Sequence, residues 1–116
     1  ISFKKWRKST IYMNKYNLKT TKAFEEELLE IYSYIVDYLQ EPKIANEKYK
    51  KIRNKILSLQ YLPERYSRIF KSKFKNRNLR KLLINNFVII YEVRNDTYQI
   101  FIFHIFNKYQ HYLNKL

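Results

Sequence analysis

The sequence contains no cysteine and no glycine, and these two absences limit what the protein can do. Without cysteine there is neither a disulfide nor a thiolate ligand for a metal ion. Without glycine there is no phosphate-binding loop of the kind in which glycine lets the backbone approach a nucleotide. Because the two histidines have few carboxylates near them in the sequence, we expect no metal and no other cofactor.

Long apolar stretches are also missing. The longest, near residues 87–91 and 100–106, are far shorter than the roughly 20 residues that a membrane-spanning helix needs. The first residues lack the apolar core of a signal peptide. We therefore expect a protein without membrane contact that acts in the cytoplasm, which the lack of cysteine fits.

The chain of 116 residues is 46% hydrophobic, enough for one folded domain with a core of its own. Met13 is the only methionine and lies just before the first patterned segment. We interpret residues 1–13 as an N-terminal extension and residues 14–116 as a single domain.

Acidic residues are few, and they are unevenly placed. Lysine and arginine number 24 against 10 aspartates and glutamates, which gives a net charge of +14. After Arg65 the only acidic residues are Glu92 and Asp96. An excess of this size indicates, by itself, an anionic partner: nucleic acid, a membrane surface or an acidic protein. The distribution indicates that this partner binds the C-terminal half.

Hydrophobic periodicity predicts a short strand at 15–21 and then two helices. Apolar residues recur every three or four positions over residues 22–40, with Thr21 as the N-cap. The stripe consists of Phe24, Leu28, Ile31, Ile35 and Tyr38. Pro42 suits the first turn of a second helix. Its stripe consists of Ala45, Tyr49, Ile52, Ile56 and Leu59. The short joint predicts a helical hairpin.

Residues 64–78 are basic and weakly patterned, which indicates a loop with room for a short strand at 66–70. Three strands follow at 79–84, 87–93 and 98–106. The pairs 85–86 and 95–96 between them contain Asn and Asp, which tolerate tight hairpin turns. The sequence therefore predicts an α+β fold of order β-α-α-β-β-β, with an N-terminal strand and a helical hairpin packed on an antiparallel sheet.

The two faces of this sheet can be assigned if 95–96 is a two-residue turn. Ile102 and His104 then share a face with Tyr91, while Phe103 and Ile105 lie on the other face. Both faces are apolar, and the helices cover only one. We expect the N-terminal extension or a partner protein to cover the second face.

The run from Asn78 to Val93 places an Arg on a strand, then apolar alternation, a tight turn, an aromatic residue and a Tyr-x-Val strand. Together with the order of elements, this run resembles the RelE/ParE toxin superfamily of type II toxin–antitoxin systems. The matching residues are Arg80, Leu82, Ile84, Phe87, Tyr91 and Val93. The segment 103–112 resembles the last strand and the basic-aromatic tail of that family.

The resemblance implies a toxin that is neutralised by a cognate acidic antitoxin. RelE-like members cleave mRNA on the ribosome, and ParE-like members poison DNA gyrase. The leading expectation is a metal-independent, ribosome-dependent endoribonuclease. A gyrase poison and a basic nucleic-acid-binding module are the alternatives. The gyrase alternative is open because the position of a functional Arg in RelE-like members corresponds to Val88 here, and the tail Arg to Tyr109 or Gln110.

RNA cleavage by 2′-hydroxyl attack needs a base, a group that stabilises the phosphorane charge and an acid for the leaving oxygen. The resemblance implies that Arg80 and Lys81 bind the phosphate, and that Tyr109, His111 or Tyr112 supplies acid–base function or stacks on a base. A structural ion pair is an equal alternative for Arg80. Basic residues that we expect to contact RNA are Lys71, Lys73, Lys75, Arg77 and Lys108.

Overall fold

The computed structural model describes residues 15–108 and residue 116. Strand β1, Asn17–Thr20, is followed by helix α1, Lys22–Ser33, and helix α2, Pro42–Ser58. Two short 3-10 turns, Pro63–Arg65 and Ser72–Phe74, precede the three strands of the C-terminal half. These strands are β2, Leu79–Ile84; β3, Phe87–Arg94; and β4, Gln99–Asn107. The predicted order β-α-α-β-β-β is confirmed.

The sheet has the order β1-β4-β3-β2. The consecutive strands β2, β3 and β4 form the predicted antiparallel meander. β1 joins the far edge and runs parallel to β4, with Leu18 opposite Ile100. A parallel neighbour requires a crossover, and the two helices together with the meander provide it.

Helix α1 begins where the sequence predicts. The side chain of Thr21 accepts a hydrogen bond from the amide of Phe24, so Thr21 is the N-cap. After Ser33 the helix widens into a π-helical turn, Tyr34–Tyr38. Because a π turn inserts an extra residue, Tyr38 rotates away from the buried stripe and is 75% exposed. The prediction that Tyr38 belongs to the stripe is therefore wrong.

The helices cover one face of the sheet, as predicted. Phe24 and Leu28 of α1 and Ile52 and Ile56 of α2 pack against buried residues of all three C-terminal strands. Full burial of side chains of this size stabilises a fold by about 1.5–3 kcal/mol each. The helix stripes therefore fix the hairpin on the sheet.

The connection between β3 and β4 differs from the prediction. Arg94 pairs with Gln99, so residues 95–98 form a four-residue loop rather than a two-residue turn. Tyr98 takes a left-handed conformation with φ at 52° and lies outside the strand. Side chains of a strand alternate between the two faces, so a loop that is longer by two residues leaves the first residues of β4 on the predicted faces.

A β-bulge then changes the facing further along β4. Tyr91 pairs with Ile102, but the next register position pairs Ile90 with His104, which leaves Phe103 as the extra residue. Ile105 consequently lies in the core beneath the helices, opposite Ile89. The bulge makes two predictions wrong: that Ile105 shares a face with Phe103, and that His104 shares a face with Ile102. The sequence gives no sign of the bulge.

The second sheet face carries a smaller cluster, in which Val88 and Ile90 are buried. Ile69 and Phe74, from the segment between α2 and β2, and Leu116 pack on it. The short strand considered at 66–70 is reduced to a single bridge between Arg68 and Arg80. The N-terminal extension that we expected as a cover lies outside the described residues.

Candidate functional site

Arg80 lies on the helix-side face of β2, where its guanidinium group is held from several directions. Its Nη1 donates to the carbonyl oxygens of Glu64 and Tyr66, both at 2.7 Å. Its Nη2 lies 3.1 Å from a carboxylate oxygen of Glu64, and its Nε donates to the side chain of Asn78 at 2.9 Å. The side chain is only 14% exposed. These contacts join the 3-10 turn after α2 to the start of the meander. They include an ion pair with Glu64, the kind of contact expected if Arg80 has a structural role.

Glu64 connects this arginine to the β3–β4 loop. Its carboxylate accepts hydrogen bonds from the side-chain amides of Asn95 at 2.9 Å and Asn78 at 3.1 Å. The hydrogen bond from Asn95, helped by Asn78 and Arg80, holds the pKa of Glu64 below its ordinary value. Tyr16 donates to the other end of the Asn95 amide at 2.6 Å. The network therefore ties the start of β1 to the meander.

Beneath this network, Tyr91 is wholly buried. Its hydroxyl donates to the carbonyl oxygen of Pro63 at 2.7 Å. Burial raises the pKa of Tyr91, and the neighbouring Arg80 and Arg65 only partly oppose the effect. A neutral, hydrogen-bonded phenol in this position is a structural group that has no access to a substrate.

Arg80 and Lys81 are not brought together. Successive residues of a strand point to opposite faces, so Lys81 lies with Ile90 on the second face while Arg80 lies with Tyr91. Val88, at the position of a functional Arg in RelE-like toxins, is 0% exposed beneath the second cluster. The helix-side corner around Arg80 and the second face are thus separate surfaces.

The predicted basic residues between α2 and β2 do lie near one another, on the second face. Lys73 donates to the carbonyl oxygen of Leu116, and its Nζ lies 4.9 Å from the centre of the Phe74 ring. The carbonyl oxygens of Lys75 and Arg77 both accept from Arg68. Lys71 and Lys75 line a surface cavity of about 300 Å³ next to Phe70. The segment therefore presents cations and rings together.

Arg77 belongs to a cluster that the sequence did not reveal. Its Nε donates to one carboxylate oxygen of Glu92 at 2.7 Å, and the Nε of Arg94 donates to the other at 3.0 Å. The Cζ of Arg94 lies 4.0 Å from the centre of the Phe101 ring, and that of Arg77 lies 5.4 Å from Phe103. The two Phe rings are stacked on each other. We call these five residues the arginine pair cluster.

Glu92 is the anchor of this cluster. Its side chain is 7% exposed, and burial by itself would raise its pKa. The hydrogen bonds from Arg77 and Arg94 outweigh burial, so the pKa of Glu92 lies below its ordinary value. The sequence does hold a signal for four of the five residues, because Glu92 and Arg94 alternate on one face of β3 and Phe101 and Phe103 alternate on β4, but it holds none for Arg77.

The remaining predicted site residues lie at or beyond the end of β4. The amide of Lys108 donates to the carbonyl oxygen of Asn86, and its side chain is exposed. Tyr109, His111 and Tyr112 lie outside the described residues. Over residues 15–108 and 116, no group of three or more His, Asp or Glu side chains is placed to hold a metal ion. In the same part of the chain, no helix is long and apolar enough to cross a membrane.

A family model identifies the family of this chain, and a solved structure shows the same fold. The model of the ParE toxin of the type II toxin–antitoxin system parDE matches residues 18–112. A solved structure described as the chromosomal ParDE TA system from P. aeruginosa resembles this chain with a TM-score of 0.65. The alignment covers 81% of this chain and 97% of that one at 22% identity, so the likeness is one of fold. A search of curated proteins found no match. The chain belongs to the ParE family of type II toxins.

Proposed function

We propose that this protein is a toxin that stops growth by poisoning DNA gyrase, without cutting RNA itself. Membership of a type II toxin family implies a cognate antitoxin. The observation that carries the choice of target is the position of Arg80, whose guanidinium donates four hydrogen bonds to Glu64, Tyr66 and Asn78. An arginine engaged in this way stabilises the fold and is poorly placed to bind a scissile phosphate.

The buried position of Val88 supports the same choice. A ribonuclease of the RelE type needs a cation there to stabilise charge on the phosphorane, and here the position is an apolar contact in the second cluster. Because Lys81 lies on the opposite face from Arg80, the two cations predicted to share one phosphate do not face the same substrate.

Ribosome-dependent mRNA cleavage is the second candidate. It is favoured by the exposed cations near Phe74 and by the basic-aromatic tail, which contains Tyr109, His111 and Tyr112. On this reading, Arg77 and the loop lysines bind RNA, and the tail supplies the acid–base groups. Both targets lie in the cytoplasm, which is where either proposal requires the protein to act.

A paired assay separates the two candidates. Purified full-length toxin is added to gyrase with relaxed plasmid, and in parallel to ribosomes translating a defined mRNA. We expect loss of supercoiling with accumulation of gyrase-linked DNA breaks, while primer extension shows intact mRNA. Polylysine of similar charge serves as the control for non-specific polycation effects. Codon-positioned cuts in the mRNA, with supercoiling unchanged, would overturn the gyrase proposal.

We further propose that the antitoxin is acidic and that residues 14–116 form the toxic domain, with residues 1–13 as an extension. The net charge of +14 and the family match from residue 18 support these two points. A chain of residues 14–116 should inhibit growth as strongly as the full chain. Loss of toxicity, with the shorter chain still folded by circular dichroism, would place the extension within the functional unit.

A further inference from the structure

The arginine pair cluster has a feature that its ion pairs do not use. Arg77 and Arg94 each donate to Glu92 through Nε, so their terminal Nη groups are not used in these two hydrogen bonds. No described residue accepts a hydrogen bond from these Nη atoms. Both side chains are more than 40% exposed, so the two sets of donors face solvent.

The donors are also held in place. The Glu92 carboxylate is buried and fixes both Nε atoms, while the Phe101 and Phe103 rings lie beneath the guanidinium planes. An arginine fixed in this way loses little side-chain entropy on binding an oxyanion, and its planar end suits bidentate contact with phosphate. Two arginines share one carboxylate, so the cluster keeps a net charge of +1.

The surroundings extend this charge rather than neutralise it. Residues 65–81 contain eight lysines and arginines and no acidic residue. The neighbouring cavity of about 300 Å³ has only basic ionisable residues in its lining: Arg68, Lys71 and Lys75. Phe70 at its edge is 84% exposed, with the Arg68 guanidinium 5.7 Å from the ring centre.

We infer that the arginine pair cluster is a phosphate-binding site for the backbone of a nucleic acid that lies across the second sheet face. Two neighbouring guanidinium groups can donate to both free oxygens of one phosphodiester. A single guanidinium is enough to bind both oxygens of a carboxylate, so a pair of arginines suits a phosphate better. Arg68, Lys71 and Lys75 around the neighbouring cavity add further cations, which suits a polyanion with many phosphates such as a nucleic acid. Exposed rings beside cations are typical of surfaces that bind single strands. The site stands independently of whether gyrase is the target.

The test uses the full-length chain and two labelled probes, a 20-base-pair DNA duplex and a single-stranded RNA of the same length. Fluorescence anisotropy is measured over a range of salt concentrations. The first variant is Arg77→Lys with Arg94→Lys, which keeps the net charge at +14 but removes both planar donor groups. We expect about tenfold weaker binding to at least one probe.

Two further proteins control for charge. Arg77→Gln with Arg94→Gln removes two charges, and Lys50→Gln with Lys51→Gln removes two charges from the exposed face of α2. The arginine variant should reduce the slope of log affinity against log salt by about 1–2, and the α2 variant should change it much less. Thermal unfolding by circular dichroism confirms that each variant is folded.

Three outcomes would overturn the inference. The Arg→Lys variant could bind both nucleic acids as tightly as the unchanged protein. The two glutamine variants could weaken binding equally, which would show that only total charge matters. Polyglutamate, added as an acidic competitor, could bind the protein through Arg77 and Arg94 without displacing either nucleic-acid probe. That result would assign the site to an acidic polypeptide. None of these results bears on the gyrase supercoiling assay.

Discussion

The carboxylate of Glu27 on α1 accepts a hydrogen bond at 3.1 Å from the backbone amide of Ile105 on β4. β1 ends at Thr20 opposite Ile102, so β4 extends beyond its parallel neighbour. Helix α1 provides the hydrogen-bond acceptor that a longer β1 would have provided. The Glu27 carboxylate accepts from the Ile105 amide and also lies 3.1 Å from Nδ1 of His104. The second half of β4 is thus held at its edge by a side chain.

Removal of this carboxylate should loosen the end of β4. We expect Glu27→Ala to lower the free energy of unfolding by about 1–3 kcal/mol, because a partly buried amide loses its partner. Urea denaturation measures the effect, and hydrogen exchange at the Ile105 amide localises it. Glu26→Ala is the matched control, since Glu26 is 62% exposed and 3.8 Å from Lys22. Equal effects from the two variants would show that the contact contributes nothing.

Arg80 offers a way to separate a structural role from a catalytic one. Arg80→Lys keeps the charge but cannot reproduce the contacts with Glu64, Tyr66 and Asn78, so we expect a loss of about 1–3 kcal/mol in unfolding free energy. Growth inhibition should fall only in proportion to the folded fraction. Lys50→Gln, at an exposed position on α2, is the control and should leave stability nearly unchanged. Full stability with abolished toxicity in Arg80→Lys would instead identify Arg80 as a functional group.

The pKa of Glu92 gives a prediction about acid. A carboxyl group whose pKa is depressed in the folded state stabilises the fold above its unfolded pKa, about 4.3. That contribution is lost as the pH falls through the lower, folded pKa. Glu64 is depressed in the same direction, so unfolding free energy should decline once the pH falls below about 4.3.

Glu92→Gln tests whether ionised Glu92 contributes to this dependence of stability on pH. The variant should be less stable at pH 7, because two arginines lose their carboxylate. Its unfolding free energy should decline less than that of the unchanged protein when the pH falls below about 4.3. Denaturation curves at several pH values measure both effects. Glu47→Gln, at an exposed position on α2, is the control and should follow the unchanged protein. A Glu92→Gln profile parallel to that of the unchanged protein would contradict the assignment.

How far the sequence predicts this fold is seen most clearly in the meander. Alternation and the Asn-rich turns predict the bounds of β2, and those of β3 to within one residue, because strand pattern and turn chemistry are local properties. The bulge at Phe103 is not local. It is the point at which β4 must bring Ile105 under the helices, and this depends on packing against Ile89 and Phe24.

The candidate site shows the same division. A basic segment at 64–78 is visible in the sequence as charge, and its middle part, with Ile69 and Phe74, does pack on the second face. The pairing of Arg77 with Glu92 and Arg94 is not visible, because it joins a loop to a strand 15 residues away. Arg80 is the converse case: the residue matches a family pattern, but its partner Glu64 is assigned by the fold.

The absence of glycine leads to the last prediction. Left-handed backbone, which glycine adopts at little cost, falls here on Gln40, Leu62, Asn85 and Tyr98. Leu62, with φ at 54° and ψ at 57°, is 66% exposed, so its side chain gains little from packing. A non-glycine residue in this region costs about 1–2 kcal/mol, and glycine adds about 0.5–1 kcal/mol of chain entropy.

We therefore expect Leu62→Gly to raise the free energy of unfolding by about 0.5–1 kcal/mol, the difference between these two effects. Urea denaturation at neutral pH measures it. Asn85→Gly is the matched control, since Asn at φ 52° already tolerates the left-handed region and should gain little. If Leu62→Gly is destabilising while Asn85→Gly is neutral, the Leu62 side chain supports the turn before Pro63 despite its exposure. The strain would then be offset by contacts at this turn.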